Sequence, residues 1–131
     1  MGTTPYWPER GGLRPGAPRG ILELPWPVFH LGLRFPTAGG PLLRLLGKHY
    51  IALGLRDSLR RGDSVFYFHP IDISDEKFPI EKSVARPLFW SVKGEIVQKR
   101  VRWLVDEFAG SLACCSEIVA RALPPRCNPH A

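Results

Sequence analysis

Cysteine is scarce in this chain. Cys114, Cys115 and Cys127 are the full complement, and an odd count with an adjacent pair does not read as a disulfide framework. No apolar run approaches the ~20 residues that span a bilayer, so no membrane span is expected. No secretory apolar stretch opens the chain, where Pro, Gly and Arg prevail. Without those signals a reducing, cytoplasmic setting is the expectation. Catalytic signatures are missing too. Gly39-Gly40 precedes a helical pattern but lacks the Walker spacing of a phosphate loop, and there is no Gly-x-Ser-x-Gly elbow. Cys114, Cys115, Cys127 and His130 lack the Cys-x-x-Cys spacing of a zinc site. No metal site is therefore predicted within the chain.

What is present suits one domain. The chain has 131 residues, 44% of them hydrophobic, which is a globular composition. Proline (14) and glycine (13) are abundant and crowd the first 41 residues, so the core must come mostly from residues beyond Pro41. The net charge of +6 is unevenly spread: residues 21–62 hold Arg34, Arg44, Lys48, Arg56, Arg60 and Arg61 against Glu23 and Asp57. Such a stretch is either a solvated helix face or a surface for an acidic partner. It lacks the aromatic interleaving of a base-stacking surface, so no nucleic acid is expected as a partner.

Residues 1–19 have no helical or strand period and read as an irregular Pro/Gly-rich arm. Ile21 to Leu24 reads as a brief strand, and Pro25, Pro27 and Pro36 confine the rest of 20–36 to loop or edge strand. A helix is predicted over 41–61, with Pro41 in its first turn and Leu42, Leu45, Leu46 and Leu53 as its apolar stripe, beside Leu43, Tyr50 and Ile51. Gly47 and Gly54 weaken it and suggest a kink; Gly62 suits its end. Ser64 to Phe68 is a short β-branched and aromatic run without alternation, the pattern of a strand buried on both faces. Helix, cap and buried strand together suggest parallel α/β structure. A long polar connection spans 70–94. Residues 95–109 are the clearest helix, with Val97, Val101, Leu104, Val105 and Phe108 in one stripe and Glu95–Lys99 as an i,i+4 pair. A short helix is expected within 112–123, before Pro124-Pro125 and a frayed tail.

His69 is the residue of greatest chemical interest. It comes directly after the buried run, and in parallel α/β folds the carboxyl ends of strands are where catalytic groups gather. Imidazole is the side chain suited to moving protons near neutral pH; a structural histidine at a loop start is the competing reading. Asp72, two residues past Pro70, could orient the imidazole, contact a sugar hydroxyl, or simply cap a turn. Trp26, next to Pro25 at the end of the first strand, could stack on a sugar ring or pack in a loop. His30 and His49 show no partner pattern.

Three stretches together resemble polysaccharide deacetylases of the carbohydrate esterase 4-like, NodB-homology type. "ILELPWPVFHLGLRFPTAGGPLLRLL" is similar to that family's Glu-hydrophobic-Pro strand, Gly-Gly turn and Arg-Leu-Leu helix start. "VFYFHPIDI" is similar to its late strand and His-Pro turn, and "RPLFWSVKGEIVQKRVRWLVDEF" to its closing helix. The resemblance covers about residues 20–109. It implies an α/β fold, the C-terminal portion of a distorted (β/α) barrel over 20–110 with a few short parallel strands and two main helices, then a short helix and tail over 111–131. It also implies metal-dependent removal of acetyl groups from N-acetylated carbohydrate. In that scheme a divalent metal, commonly zinc, polarises the acetyl carbonyl, an Asp is the base, and the late His, matched by His69, protonates the leaving amine. Asp72 and Trp26 are the corresponding candidates for substrate contact. The chain contains no Asp-Asp dipeptide and no two histidines four apart, so the family's metal ligands and base have no match. The expectation is a segment inactive alone, completed by a missing N-terminal half of the barrel and prone to aggregate through open strand edges. The alternative is a non-enzymatic module that binds an acidic partner or polysaccharide through its basic helix.

Overall fold

The computed structural model describes residues 4–12, 14–18, 20–76 and 92–122. Within them the elements are strands β1 (Val28–Leu31) and β2 (Leu33–Pro36), helix α1 (Gly40–Leu59), a single-turn helix α2 (Pro70–Ile73), helix α3 (Glu95–Glu107), a 3₁₀ turn (Ala109–Ser111) and helix α4 (Cys115–Ala122). The Arg86-Pro87 part of the third resembling stretch, most of the 70–94 connection and the tail after Ala122 lie outside the described residues.

The core is a two-helix contact. Leu43, Ile51, Ala52 and Leu55 of α1 meet Val97 and Leu104 of α3, with Tyr50, Phe66, Val101 and Phe108 packed around them. Of the stripe expected on α3, Val97, Val101, Leu104 and Phe108 are used, while Val105 is exposed and Trp103 packs against the core. On α1 the expected stripe is wrong. Leu45, Leu46 and Leu53 are exposed, whereas Leu43, Arg44 and Ile51 are buried. Gly47, with φ +80° and ψ 177°, interrupts the helix, but Leu43 to Leu46 precede it; there the side carrying Leu43 and Arg44 turns inward, toward α3 and Asp72, and the side carrying Leu45 and Leu46 is left to solvent. The carbonyls that the break frees are taken up by α3: the Arg100 guanidinium donates to Leu43 O at 2.8 Å and to Arg44 O at 2.7 Å. Those acceptors would otherwise be the unpaired end of a helix.

The sheet differs from expectation. Among the described residues it is a two-stranded antiparallel hairpin, β1 against β2 in the register Val28↔Pro36 to Leu31↔Leu33, where short parallel strands were expected. Gly32, at φ +70°, makes the reversal. Ile21 to Leu24 contributes only an isolated bridge between Tyr6 and Glu23. Ser64 to Phe68 belongs to no ladder among the described residues; it is held to the Pro25 carbonyl by the Val65 N–H at 3.3 Å and the Ser64 hydroxyl at 3.1 Å. The chain is thus mixed helix and strand, and among the described residues no helix is long and apolar enough to cross a membrane.

The hairpin is fastened to the end of α1 by polar groups. Ser58 Oγ accepts from Val28 N at 3.0 Å, Arg61 donates to Val28 O at 3.0 Å, and Asp57 accepts from His30 N at 3.1 Å. The Arg61 guanidinium, 2.6 Å from Asp57, is the main influence holding that carboxyl below its ordinary value of 3.8; partial desolvation opposes it and His30 adds to it. A depressed carboxyl binds protons less well folded than unfolded, so its stabilisation is present above that ordinary value and fades as pH falls through it toward the folded-state value. The urea midpoint of the wild type should therefore fall more steeply below about pH 4 than that of Asp57→Asn, with salt reducing the difference. Parallel curves for the two proteins would remove Asp57 from the account.

Gly54 lies where α1 passes over the loop after β2. A Cβ there would sit 1.6 Å from Thr37 Oγ1. Thr37 is fully buried and cannot retreat, since its N–H and hydroxyl both donate to Pro27 O, at 3.1 and 3.0 Å. Gly54→Ala gains about 1 kcal/mol of helix propensity but overpacks a buried contact at about 1–3 kcal/mol. The expected result is a net loss of stability, read as a lower urea midpoint.

Candidate functional site

The site begins with an anchored turn. Pro70 fixes φ at the first position of α2, and His69 precedes it in extended geometry (φ −97°, ψ 152°). The His69 N–H donates to Asp72 Oδ2 at 2.8 Å, and the Asp72 N–H returns to His69 O at 2.9 Å. Asp72 also forms an ion pair with Arg44, Oδ1 lying 3.1 Å from Nε, both side chains being almost wholly buried. Gly40, at the start of α1, leaves the space: a Cβ there would come within 1.8 Å of Asp72 Oδ2. The first turn of α1 has no acidic residue of its own, so this carboxylate supplies the negative charge that a helix N-terminus favours. The far end of α2 is tied to α3 by Gly94 N to Asp72 O (3.2 Å) and Gln98 Nε2 to Ile73 O (2.8 Å).

This corrects the reading of Asp72 as a sugar contact. At 1% exposed its carboxylate faces Arg44 and the His69 amide, and its work is to hold the turn. His69 itself is exposed.

Ser64 to Phe68 is extended, so neighbouring side chains point to opposite sides. Phe66 and Phe68 line a groove with Leu55, Leu104, Val105 and Phe108. On the other side Tyr67 and His69 meet edge to face, ring centroids 5.4 Å apart. Trp26 joins them at 5.1 Å from Tyr67. The structure thus brings two residues singled out in the sequence, Trp26 and His69, into one aromatic row through a third, Tyr67. Sequence reading missed Tyr67, although its place two residues before His69 in an extended run carried the signal. It also missed Arg44, a lone charge in Leu-Leu-Arg-Leu-Leu.

The remaining histidines are engaged elsewhere. The His30 Nδ1 lies 3.3 Å from Asp57, and His49 meets Trp103 edge to face at 5.0 Å. Among the described residues no three His, Cys, Asp or Glu groups converge in the manner of a metal site. Of the bases in the basic stretch, Arg44 is paired with Asp72, Arg56 with Glu107 and Arg61 with Asp57, and Lys48 lies 4.5 Å over the Trp103 ring. Much of the charge that suggested an acidic partner is therefore spent within the fold. Cys114 and Cys115 are both exposed free thiols.

The class these features define is a small mixed helix-and-strand unit that presents an exposed histidine on a clamped turn beside an aromatic row. A family model described as a domain of unknown function (DUF3473) matches residues 2–112, and the chain belongs to that family. No curated protein matches it, and no solved structure does.

Proposed function

We propose that this chain is the C-terminal segment of a carbohydrate N-deacetylase, contributing His69 as the acid that protonates the departing amine. The resemblance of "VFYFHPIDI" to the late strand and His-Pro turn of polysaccharide deacetylases supports the reading. The observation that carries it is the anchored, solvent-facing His69. A buried ion pair, a capping hydrogen bond and a fixed proline converge to fix the backbone that carries one exposed imidazole, whose ring meets Tyr67 edge to face, and a proton donor must be held in a defined place to act in a transition state. Asp72 serves as the positioning residue, with Arg44 fixing its carboxylate.

Among the described residues the donor set does not fit the divalent metal that the resemblance implies, because His30, His49 and His69 stand on separate elements with other partners. Metal and base belong, in this reading, to a separate half carrying the Asp-Asp and His-x-x-x-His motifs. The test combines this chain with such a half and zinc, and tracks acetate release from N-acetylglucosamine oligomers. Release that needs both halves supports the proposal; equal release without this chain sinks it.

A further inference from the structure

We infer that the face formed by Trp26 and Tyr67 is a glycan-stacking platform, so that this chain binds β-linked N-acetylhexosamine oligomers by itself, without metal or a second half. The class of ligand rests on the deacetylase reading above; the platform rests on how the two rings are held.

Trp26 is 54% exposed, and its exposure is built. Pro25 and Pro27 on either side are buried, and the extended chain between them turns the indole outward. Both proline carbonyls are secured: Pro25 O accepts from Val65 N and Ser64 Oγ, and Pro27 O accepts from both donors of Thr37. The two bonds to Pro25 O join this segment to Ser64 and Val65, beside which Trp26 meets Tyr67 at an interplanar angle of 40°. The tip of Tyr67 rests on Gly39, where a Cβ would lie 3.2 Å from the hydroxyl. Two aromatic faces are therefore held in place before any ligand arrives, which spares the ordering cost of binding. An indole face carries negative quadrupole charge and so attracts the polarised C–H groups on the flat face of a pyranose. Tyr67 continues the row to His69, so a sugar seated on Trp26 is delivered beside the proposed acid.

The test is calorimetric titration of the 131-residue chain with chitotetraose, alongside the indole N–H resonances. Saturable binding is expected, with one indole signal moving that is absent from Trp26→Phe. Trp26→Ala and Tyr67→Ala should each weaken binding by about tenfold, while Tyr67→Phe stays within about twofold because it keeps the stacking face. Unfolding midpoints confirm that the variants are folded. Absence of heat and of shifts in the wild type, or Trp26→Ala binding as well as wild type, overturns the platform. Because this readout requires no catalysis, binding without deacetylation in the two-part assay would refute the enzymatic reading and leave the platform standing.

Discussion

His69→Ala is expected to lower acetate release from N-acetylglucosamine oligomers, in the assay with the metal-bearing half and zinc supplied, by about 10²–10⁴-fold, the usual worth of a positioned general acid. An amine leaves an amide carbon poorly unless it is protonated as it departs, so the loss should fall on kcat, with KM little changed. A second substrate separates proton delivery from mere disturbance of the fold. With 4-nitrophenyl acetate the leaving group departs as a stable anion, and His69→Ala should then retain most of the wild-type rate. Equal losses on amide and ester would point to a structural part for the ring, and no loss on the amide would end the proposal. His69 is exposed and makes its backbone contacts through atoms that alanine keeps, so the substitution should leave stability nearly untouched.

The largest expected effect on stability belongs to Asp72. Asp72→Ala leaves the Arg44 guanidinium, itself 3% exposed, without the carboxylate that balances it. It also removes the acceptor of the His69 N–H and the negative charge at the start of α1. Breaking one side of a buried pair costs about 3–5 kcal/mol, a large part of the roughly 5–15 kcal/mol that holds a domain together. Urea unfolding at neutral pH should show the midpoint collapse. The paired change Arg44→Met with Asp72→Leu should recover most of the loss, because the charge and its partner leave together. A shift under about 1 kcal/mol for Asp72→Ala would mean that the pair is solvated and the turn is not held in this way.

Local chemistry in the sequence was a good guide wherever a single element decides the outcome. Most of the α3 stripe, the Glu95–Lys99 pair, now seen at 2.8 Å, and the break at Gly47 were legible, since each depends on residues within a few positions. The buried face of α1 was not, because leucines lie on both sides of this helix and the choice between the sides is made by partners distant in sequence, α3 against Leu43 and Ile51 and Asp72 against Arg44. The β1–β2 hairpin was hidden for a different reason. Prolines 25, 27 and 36 left loop and edge strand both open; Pro27 directly precedes β1, and Pro36 closes β2 opposite Val28, where an edge tolerates it. Of the candidate site, position gave His69 and Trp26, but their closeness depends on two segments meeting across about 40 residues of chain through the Pro25 carbonyl. Asp72 was legible as a turn-capping residue; the ion pair that buries it was not, because its partner lies on another helix.

The clasp of Arg100 on the carbonyls of Leu43 and Arg44 links events far apart along the polypeptide. Those carbonyls close the front half of α1, the front half of α1 carries the guanidinium that grips Asp72, and Asp72 sets the backbone of His69. The backbone that carries the imidazole therefore takes its final place from a residue on a later helix. During synthesis the histidine emerges well before the side chain that completes its support, so the turn that carries it matures late, and only in a chain long enough to reach around and lock its own first helix.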